Sequence, residues 1–170
     1  MTSRTSRSIL AGALLFSAVG AAGLPAQDIG LEIGSVGPAA ALETLDGVQT
    51  DLSEYVGKRP VLMEFWATWC GNCEELEPAM RAMHAKYGDR MAFIGVAVSV
   101  NQSPARVKAY VEKHRLPWIQ LFDRKGIASG AYDAPATSYV VVLDAAGRVV
   151  YTGLGGRQAL EPAIRKALGG

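Results

Sequence analysis

The chain contains only two cysteines, and both lie in the segment Trp69-Cys70-Gly71-Asn72-Cys73. The largely apolar run 61–66 precedes them, and a helical pattern from Glu74 to about Lys86 follows. A Cys-x-x-Cys pair between a strand and a helix is typical of a dithiol redox site. The free N–H groups and the dipole of a helix start favour the nucleophilic thiolate. Because residues i and i+3 share a helix face, Cys70 and Cys73 can close a disulfide without much backbone movement.

Two other uses of the cysteines are weighed beside this one. A purely stabilising disulfide between Cys70 and Cys73 would close a very short loop, which loop entropy rewards least. Two thiolates are also half of a structural zinc site, but His84 and His114 are the only histidines. The spacing and context therefore favour redox chemistry and predict no metal.

The N-terminus has the pattern of an export signal. Arg4 and Arg7 form a basic start, and the uncharged apolar stretch 8–23 follows. Cleavage after Ala26 is the preferred interpretation, with a cut near Ala22 as a variant. The alternative is an uncleaved membrane anchor, although the stretch is at the short limit for spanning a bilayer. We thus predict a cleaved signal peptide over 1–26 and a location in the periplasm or another extracytoplasmic space.

Charge and length limit the classes of partner. Removing 1–26 takes two of the 17 basic residues and none of the 16 acidic ones, which leaves a formal net charge of −1. That balance favours neither nucleic acid nor an anionic membrane surface as a partner. About 140 residues remain, enough for one well-cored domain over 27–170. Outside the cell membrane a dithiol needs a partner to keep it reduced or oxidised.

Periodicity and turn signals predict one α/β domain with a mixed sheet. The expected elements are a hairpin over 41–50 around Asp46-Gly47, a turn or short helix over 52–55, strands over 61–67, 91–98, 118–122, 139–143 and 149–152, and helices over 74–86, 103–115, 124–132 and 158–168. Strands and helices alternate first, and an antiparallel hairpin with a closing helix ends the chain. No internal repeat or second domain is apparent.

The segment from Leu62 to Cys73 resembles the thioredoxin fold, in its exported TlpA/ResA/CcmG-like branch. Pro78, five residues after the second cysteine, stands where that family has its kinking proline. The hairpin over 41–50 and a strand–helix unit over 93–115 are similar to additions of this branch. The resemblance covers 36–170 and implies a central mixed sheet flanked by helices, with an N-terminal β-hairpin and an inserted strand–helix unit.

The resemblance also implies roles for individual residues. Cys70 would be the exposed attacking thiol, and Cys73 the more buried thiol that resolves the mixed disulfide. Trp69 would pack beside the site and Trp66 below it, the latter mainly as a core aromatic.

Glu64 stands six residues before Cys70, at the position of a buried aspartate in thioredoxin. A carboxylate in an otherwise apolar strand is costly to bury in its charged form, so its pKa should be raised. That change would suit Glu64 to take the proton from Cys73 during resolution. The alternative is that Glu64 faces a water-filled gap and affects only solubility.

The sequence departs from the family pattern in two places. Gly71-Asn72 stands between the cysteines where Pro-Pro or Gly-Pro is common, and redox poise is sensitive to this dipeptide. The family also has a cis-proline in the loop that faces the cysteines. Here either Pro135 is that residue, with a longer entry to the strand, or Ser138 has replaced it. Counting back from Asp144 and Gly147 without gaps favours Ser138, and a replacement would be trans because a non-proline cis bond costs about 2.5–4 kcal/mol.

Other polar residues are interpreted as structural. Glu74, Glu75 and Glu77, which follow the site, are expected on a solvated helix face. The histidines His84 and His114 are expected on helix surfaces. Asp123 and Asp144 are expected to cap turns.

The sequence supports three hypotheses for function. The leading one is a disulfide reductase that passes electrons from a membrane-bound donor to oxidised client proteins, with apocytochrome c or copper-site cysteines as family-suggested clients. The second is an oxidase or isomerase that works in the other direction. The third is a copper-handling module, for which His114 is a poor third ligand. No cofactor fingerprint is present, and we expect a monomer.

Overall fold

The computed structural model describes residues 30–170. The predicted signal peptide over 1–26 lies outside the described residues. None of the helices between residues 30 and 170 is long and apolar enough to cross a lipid bilayer.

Seven strands and four α-helices make up the described part of the chain. In chain order they are β1 (Ala41–Thr44), β2 (Gln49–Asp51), a 3₁₀ turn (Leu52–Glu54), β3 (Val61–Trp66), α1 (Gly71–Tyr87), β4 (Ala92–Val98), α2 (Pro104–His114), β5 (Ile119–Asp123), α3 (Ile127–Ala131), β6 (Tyr139–Leu143), β7 (Val149–Leu154) and α4 (Leu160–Ala167).

All seven strands form one mixed sheet in the order β2-β1-β5-β4-β3-β6-β7. β3, β4 and β5 run parallel, whereas β6 and β1 are antiparallel to their neighbours β3 and β5. The central strand β3 is buried along its whole length. The end of β3, where the chain turns into α1, is therefore held between strands on both sides.

The two faces of the sheet carry separate cores. Side chains alternate across a strand, so Val61, Met63 and Phe65 pack on one face, with the hairpin and α3. Leu62 packs on the other face, against α1 and α4. Glu64 belongs to this second set by alternation, and it therefore points toward α1.

The predicted α/β class with a mixed sheet is confirmed, as are the hairpin and the strand–helix unit, which appears as β4 and α2. Most element boundaries lie within two residues of the prediction, and two differ by three residues. α1 begins at Gly71 rather than Glu74, because Cys70 caps the helix with its own side chain. α3 is shorter than 124–132, because Asp123 ends β5 and its carboxylate accepts the backbone N–H groups of Ala128 and Ser129.

Candidate active site

Cys70 and Cys73 form a disulfide at the junction of β3 and α1, with their Cα atoms 5.2 Å apart. Cys70 is the N-cap of α1, and its Sγ accepts the backbone N–H of Cys73 at 3.1 Å. This contact replaces the hydroxyl or carboxylate that usually caps a helix. In the dithiol form the same N–H would stabilise a Cys70 thiolate.

Burial does not distinguish the two cysteines in the disulfide form. Cys70 is 8% exposed and Cys73 is 7% exposed, which corrects the expectation that Cys70 is the exposed one. The reason is packing, since both belong to one cluster with Trp66, Ala97 and Phe122. The two cysteines differ in what they border: Cys73 lines a small, partly open cavity, and Cys70 is not among the residues that line it.

The residues after Cys70 are exposed, and the residues before it are held by hydrogen bonds to the loop after β4. Gly71 and Asn72 are exposed at the first turn of α1. Trp69 is 45% exposed, and its indole N–H donates to the backbone oxygen of Val100 at 2.8 Å. The Gln102 side chain accepts the N–H of Thr68 at 2.9 Å. The loop after β4 therefore holds the segment before Cys70 in place.

Glu64 faces the cavity that Cys73 lines. The cavity offers about 10 Å³ to the centre of a water molecule, which is room for about one water. Glu64 is 5% exposed, and its buried Oε1 has no hydrogen-bond partner among residues 30–170. Its neighbours in register are Gly95 on β4 and Val140 on β6, neither of which carries charge.

Burial raises the pKa of Glu64 to about 8, and the negative charge of Glu77 adds to the effect. Near neutral pH this carboxyl is therefore mostly protonated, and it can exchange a proton with a neighbour at little cost. Only the ionised form of Glu64 can accept a proton from a thiol in the same cavity, and this form becomes more abundant as the pH rises toward 8.

Glu77 also lines the cavity, and the sequence analysis wrongly placed it on a solvated helix face. Its side chain is only 17% exposed and forms an ion pair with Arg81 at 2.8 Å. Its other carboxylate oxygen lies 3.2 Å from Nδ1 of His114, whose ring stacks on Tyr110. Glu74 and Glu75 are exposed as expected. The signal for Glu77 was its spacing from Cys73, because residues i and i+4 share a helix face.

Ser138, not Pro135, occupies the position directly before β6. Ser138 is fully buried, donates its N–H to the backbone oxygen of Phe65 at 2.8 Å, and has φ +62°. Pro135 lies three residues earlier, and no peptide bond within residues 30–170 is cis. The structure therefore agrees with the alternative in which Ser138 stands at this position in a trans peptide bond, and Pro135 is not a cis-proline.

A groove runs from Trp69 toward the loop before β6. Its volume is about 280 Å³ and apolar atoms form most of its surface. The lining residues are Trp69, Val98, Ser99, Val100, Asp123, Gly126, Ser129, Ala134, Ala136 and Thr137. The groove thus connects the segment next to Cys70 with the segment next to Ser138.

Other candidate residues are accounted for by local structure. Asp123 and Asp144 cap turns as predicted, the latter by accepting the N–H groups of Ala146 and Arg148. His84 is half-buried against Phe93 rather than on an open surface. Between residues 30 and 170 no three His, Cys, Asp or Glu side chains form a group that could hold a metal ion.

The fold and the disulfide define a class of protein: a thiol-disulfide oxidoreductase of the thioredoxin fold. Residues 32–168 match the Redoxin family, and the chain belongs to that family. It is 33% identical over 145 residues to the thioredoxin-like protein YneN of Bacillus subtilis, covering 81% of this chain and 84% of that one. It is 28% identical over 142 residues to the thiol-disulfide oxidoreductase ResA of Bacillus cereus, covering 84% of this chain and 80% of the relative.

A solved structure gives the same result. A protein described as the thiol:disulfide interchange protein DsbE from Chlorobium tepidum superposes with a TM-score of 0.72 at 28% identity, covering 81% of this chain and 99% of that chain. These similarities confirm the predicted thioredoxin fold and the resemblance to the ResA and CcmG-like branch.

Proposed function

We propose that the protein is an extracytoplasmic reductase of protein disulfides that works through Cys70 and Cys73. The observation that carries this proposal is the shared cavity, in which Cys73 meets a buried carboxyl group with an unpartnered oxygen. A resolving thiol must lose its proton before it can attack a mixed disulfide. Glu64 is placed to take that proton.

The first half of the cycle moves two electrons to the client. The Cys70 thiolate attacks one sulfur of the client disulfide, which forms a mixed disulfide and releases the other client sulfur as a thiolate. Cys73 then gives its proton to Glu64 and attacks Sγ of Cys70. The Cys70–Cys73 disulfide forms, the second client sulfur leaves as a thiolate, and the client thiolates take protons from solvent.

The second half restores the dithiol. A reduced dithiol of a partner protein, which we propose to be membrane-bound, attacks Sγ of Cys70 through its first thiolate and releases Cys73, which takes its proton back from Glu64. The second thiolate of the partner then attacks the partner sulfur of this mixed disulfide, so that the partner disulfide forms and Cys70 leaves as a thiolate. The hydrogen bond from the backbone N–H of Cys73 to Sγ of Cys70 supports this step, because it stabilises Cys70 as a leaving thiolate. No other cofactor is needed for this electron balance.

The groove beside Trp69 is proposed to receive the client chain next to its disulfide. It begins at the residue before Cys70 and is mostly apolar, so it fits a partly unfolded segment with apolar side chains. Such segments surround cysteines that are not yet buried, as in apocytochrome c or a metal-site precursor, which the resemblance suggests as clients. The extracytoplasmic location rests on the sequence pattern of 1–26.

The deciding measurement is the reduction potential of the Cys70–Cys73 pair, by equilibration of the mature protein in dithiothreitol or glutathione buffers. A value near that of thioredoxin, about −270 mV, supports a reductase. A value near about −120 mV would mean a stabilised dithiol and would replace the reductase with an oxidant.

A further inference from the structure

The proton that Glu64 takes from Cys73 has to leave the interior before the next turnover. Cys73 is 7% exposed and Glu64 is 5% exposed. A buried carboxyl that holds its proton near neutral pH releases it slowly, because release slows as the pKa rises. A turnover that uses Glu64 therefore needs a group that accepts this proton and is itself closer to solvent.

Glu77 is the group that meets this condition. It lines the same cavity as Glu64 and Cys73, from the next turn of α1. The cavity has room for about one water between these side chains, enough for a proton to pass along hydrogen bonds. The Glu77 side chain is 17% exposed, so it is more accessible to solvent than Glu64, which is 5% exposed.

His114 continues the path outward. Its Nδ1 lies 3.2 Å from Oε2 of Glu77, and its side chain is 25% exposed. Imidazole is the side chain that most readily takes up and releases protons near neutral pH. Arg81 holds the other oxygen of Glu77 at 2.8 Å, and its guanidinium also donates to the backbone oxygens of His114 and Arg115. Arg81 thus joins α1 to the end of α2 and fixes the Glu77–His114 contact.

The charged and titratable groups around this path come from three elements. Glu64 comes from β3, Cys73, Glu74, Glu77 and Arg81 come from α1, and Tyr110 and His114 come from α2. Burial and the carboxylates raise the pKa of Tyr110, which keeps its hydroxyl neutral. Of the remaining side chains, Glu64 and Glu77 share the cavity, and Glu77 and His114 are joined by the 3.2 Å contact between Oε2 and Nδ1.

We propose that Glu77 and His114 form the route by which a proton passes between Glu64 and solvent. The proposal rests on the proposed function, in which Glu64 takes the proton of Cys73. During reduction of a client the proton moves outward, from Glu64 to Glu77 to His114 to solvent. During regeneration of the dithiol it moves inward and returns to Cys73. The route carries protons and no electrons. Glu77 and His114 act through Glu64, and they are therefore positioning residues.

The test compares Glu77→Gln and His114→Gln with Glu112→Gln, which removes one negative charge from an exposed position of α2. The assay is multiple-turnover reduction of a small protein disulfide with dithiothreitol as electron donor, from pH 6 to 9. We expect kcat to fall about tenfold in the first two variants, less than the roughly 10²–10⁴-fold typical of general acid–base groups, because water carries part of the proton flow. Added imidazole, a small proton carrier, should restore part of that loss.

The outcomes separate the route from the proposed function. Equal kcat values in all three variants, or a loss that imidazole leaves unchanged, would overturn the route. A single turnover from the pre-reduced protein should still yield one reduced client per dithiol in every variant. If the wild-type protein fails that single turnover, the proposed function itself is wrong. Should Glu77→Gln not fold, His114→Gln decides the question alone.

Discussion

Glu64 on β3 and Cys73 on α1 line the same small cavity, whereas Cys70, three residues before Cys73 in the chain, does not. The two cysteines are almost equally buried in the disulfide form, at 8% and 7% exposed, so this relationship is what distinguishes their surroundings. Cys73 faces a carboxyl group, and Cys70 faces the N–H groups of a helix start. We therefore propose that Cys73 loses its proton to a base and that Cys70 carries the negative charge.

Glu64→Gln should slow the resolution step and change its pH dependence. Glu64 accepts a proton only when it is ionised, and its pKa of about 8 means that this form grows from pH 7 to 9. We expect the wild-type resolution rate to rise over that range and the variant rate to be lower by about 10²-fold, with no such rise. Stopped-flow tryptophan fluorescence can follow the step. An unchanged rate from pH 6 to 9 would remove Glu64 from the mechanism.

The same substitution should stabilise the oxidised protein above pH 5. The folded-state pKa of Glu64 is about 8, against the ordinary glutamate value of 4.5 expected in the unfolded chain. Because the folded state holds the proton more tightly, the stability that Glu64 contributes is fully present below pH 4.5 and is lost as the pH rises through 8. Glu64→Gln lacks that loss, so its free energy of unfolding should exceed that of the wild type by on the order of a few kcal/mol near pH 8.

Urea unfolding of the oxidised protein at pH 4, 6 and 8 measures this difference. Glu112→Gln, at an exposed position, should show no such pH trend. If the wild-type protein has the same free energy of unfolding as Glu64→Gln at pH 8, the carboxyl of Glu64 is not buried in solution.

Cys73→Ala should trap the client as a mixed disulfide on Cys70. Without the resolving thiol the first attack still occurs, but no internal thiolate can release the client. Non-reducing gel electrophoresis with a disulfide-containing client should show a stable adduct, which dithiothreitol removes. Cys70→Ala is the matched variant and should give little adduct, since Cys73 faces the internal cavity. Equal adducts from both variants would reverse the assigned roles.

Ser138→Pro should destabilise the protein, although the family has a proline at this position. Ser138 has φ +62° and donates its N–H to Phe65, whereas proline needs φ near −65° and has no N–H. We expect a loss of about 3 kcal/mol in the free energy of unfolding. Ser138→Gly accommodates the positive φ and should lose much less. Equal stability of the two variants would show that the loop readily adopts a second conformation.

Val100→Asp should weaken the binding of clients without affecting the dithiol. Val100 is exposed and lines the groove beside Trp69, and it holds the Trp69 indole through its backbone oxygen, which the substitution keeps. A charge there should raise KM for a protein client about tenfold, the cost of placing a carboxylate against apolar side chains. Val48→Asp, equally exposed but in the hairpin turn, is the control. Identical KM values in both variants would argue against the groove as the client site.

The sequence alone predicted the parts of this protein that depend on neighbours in the chain. The Cys-x-x-Cys pair, the apolar run before it and the helical pattern after it are local, and they define a dithiol at a strand–helix junction. Asp46-Gly47 specified the hairpin for the same reason. Glu64 was singled out as a carboxylate in an otherwise apolar strand, because a charge in a buried strand is costly wherever the strand packs.

Only the tertiary structure decided which groups meet in the cavity. Glu77 has the same residue type as Glu74 and Glu75, and the packing of α1 against α2 buries it while the other two stay in solvent. The choice of Ser138 over Pro135 depends on the register of β6 against β3, which long-range backbone hydrogen bonds fix. Local propensity thus determined the position of the two cysteines at the strand–helix junction. Packing between distant segments determined which carboxyl groups lie in the same cavity as Cys73.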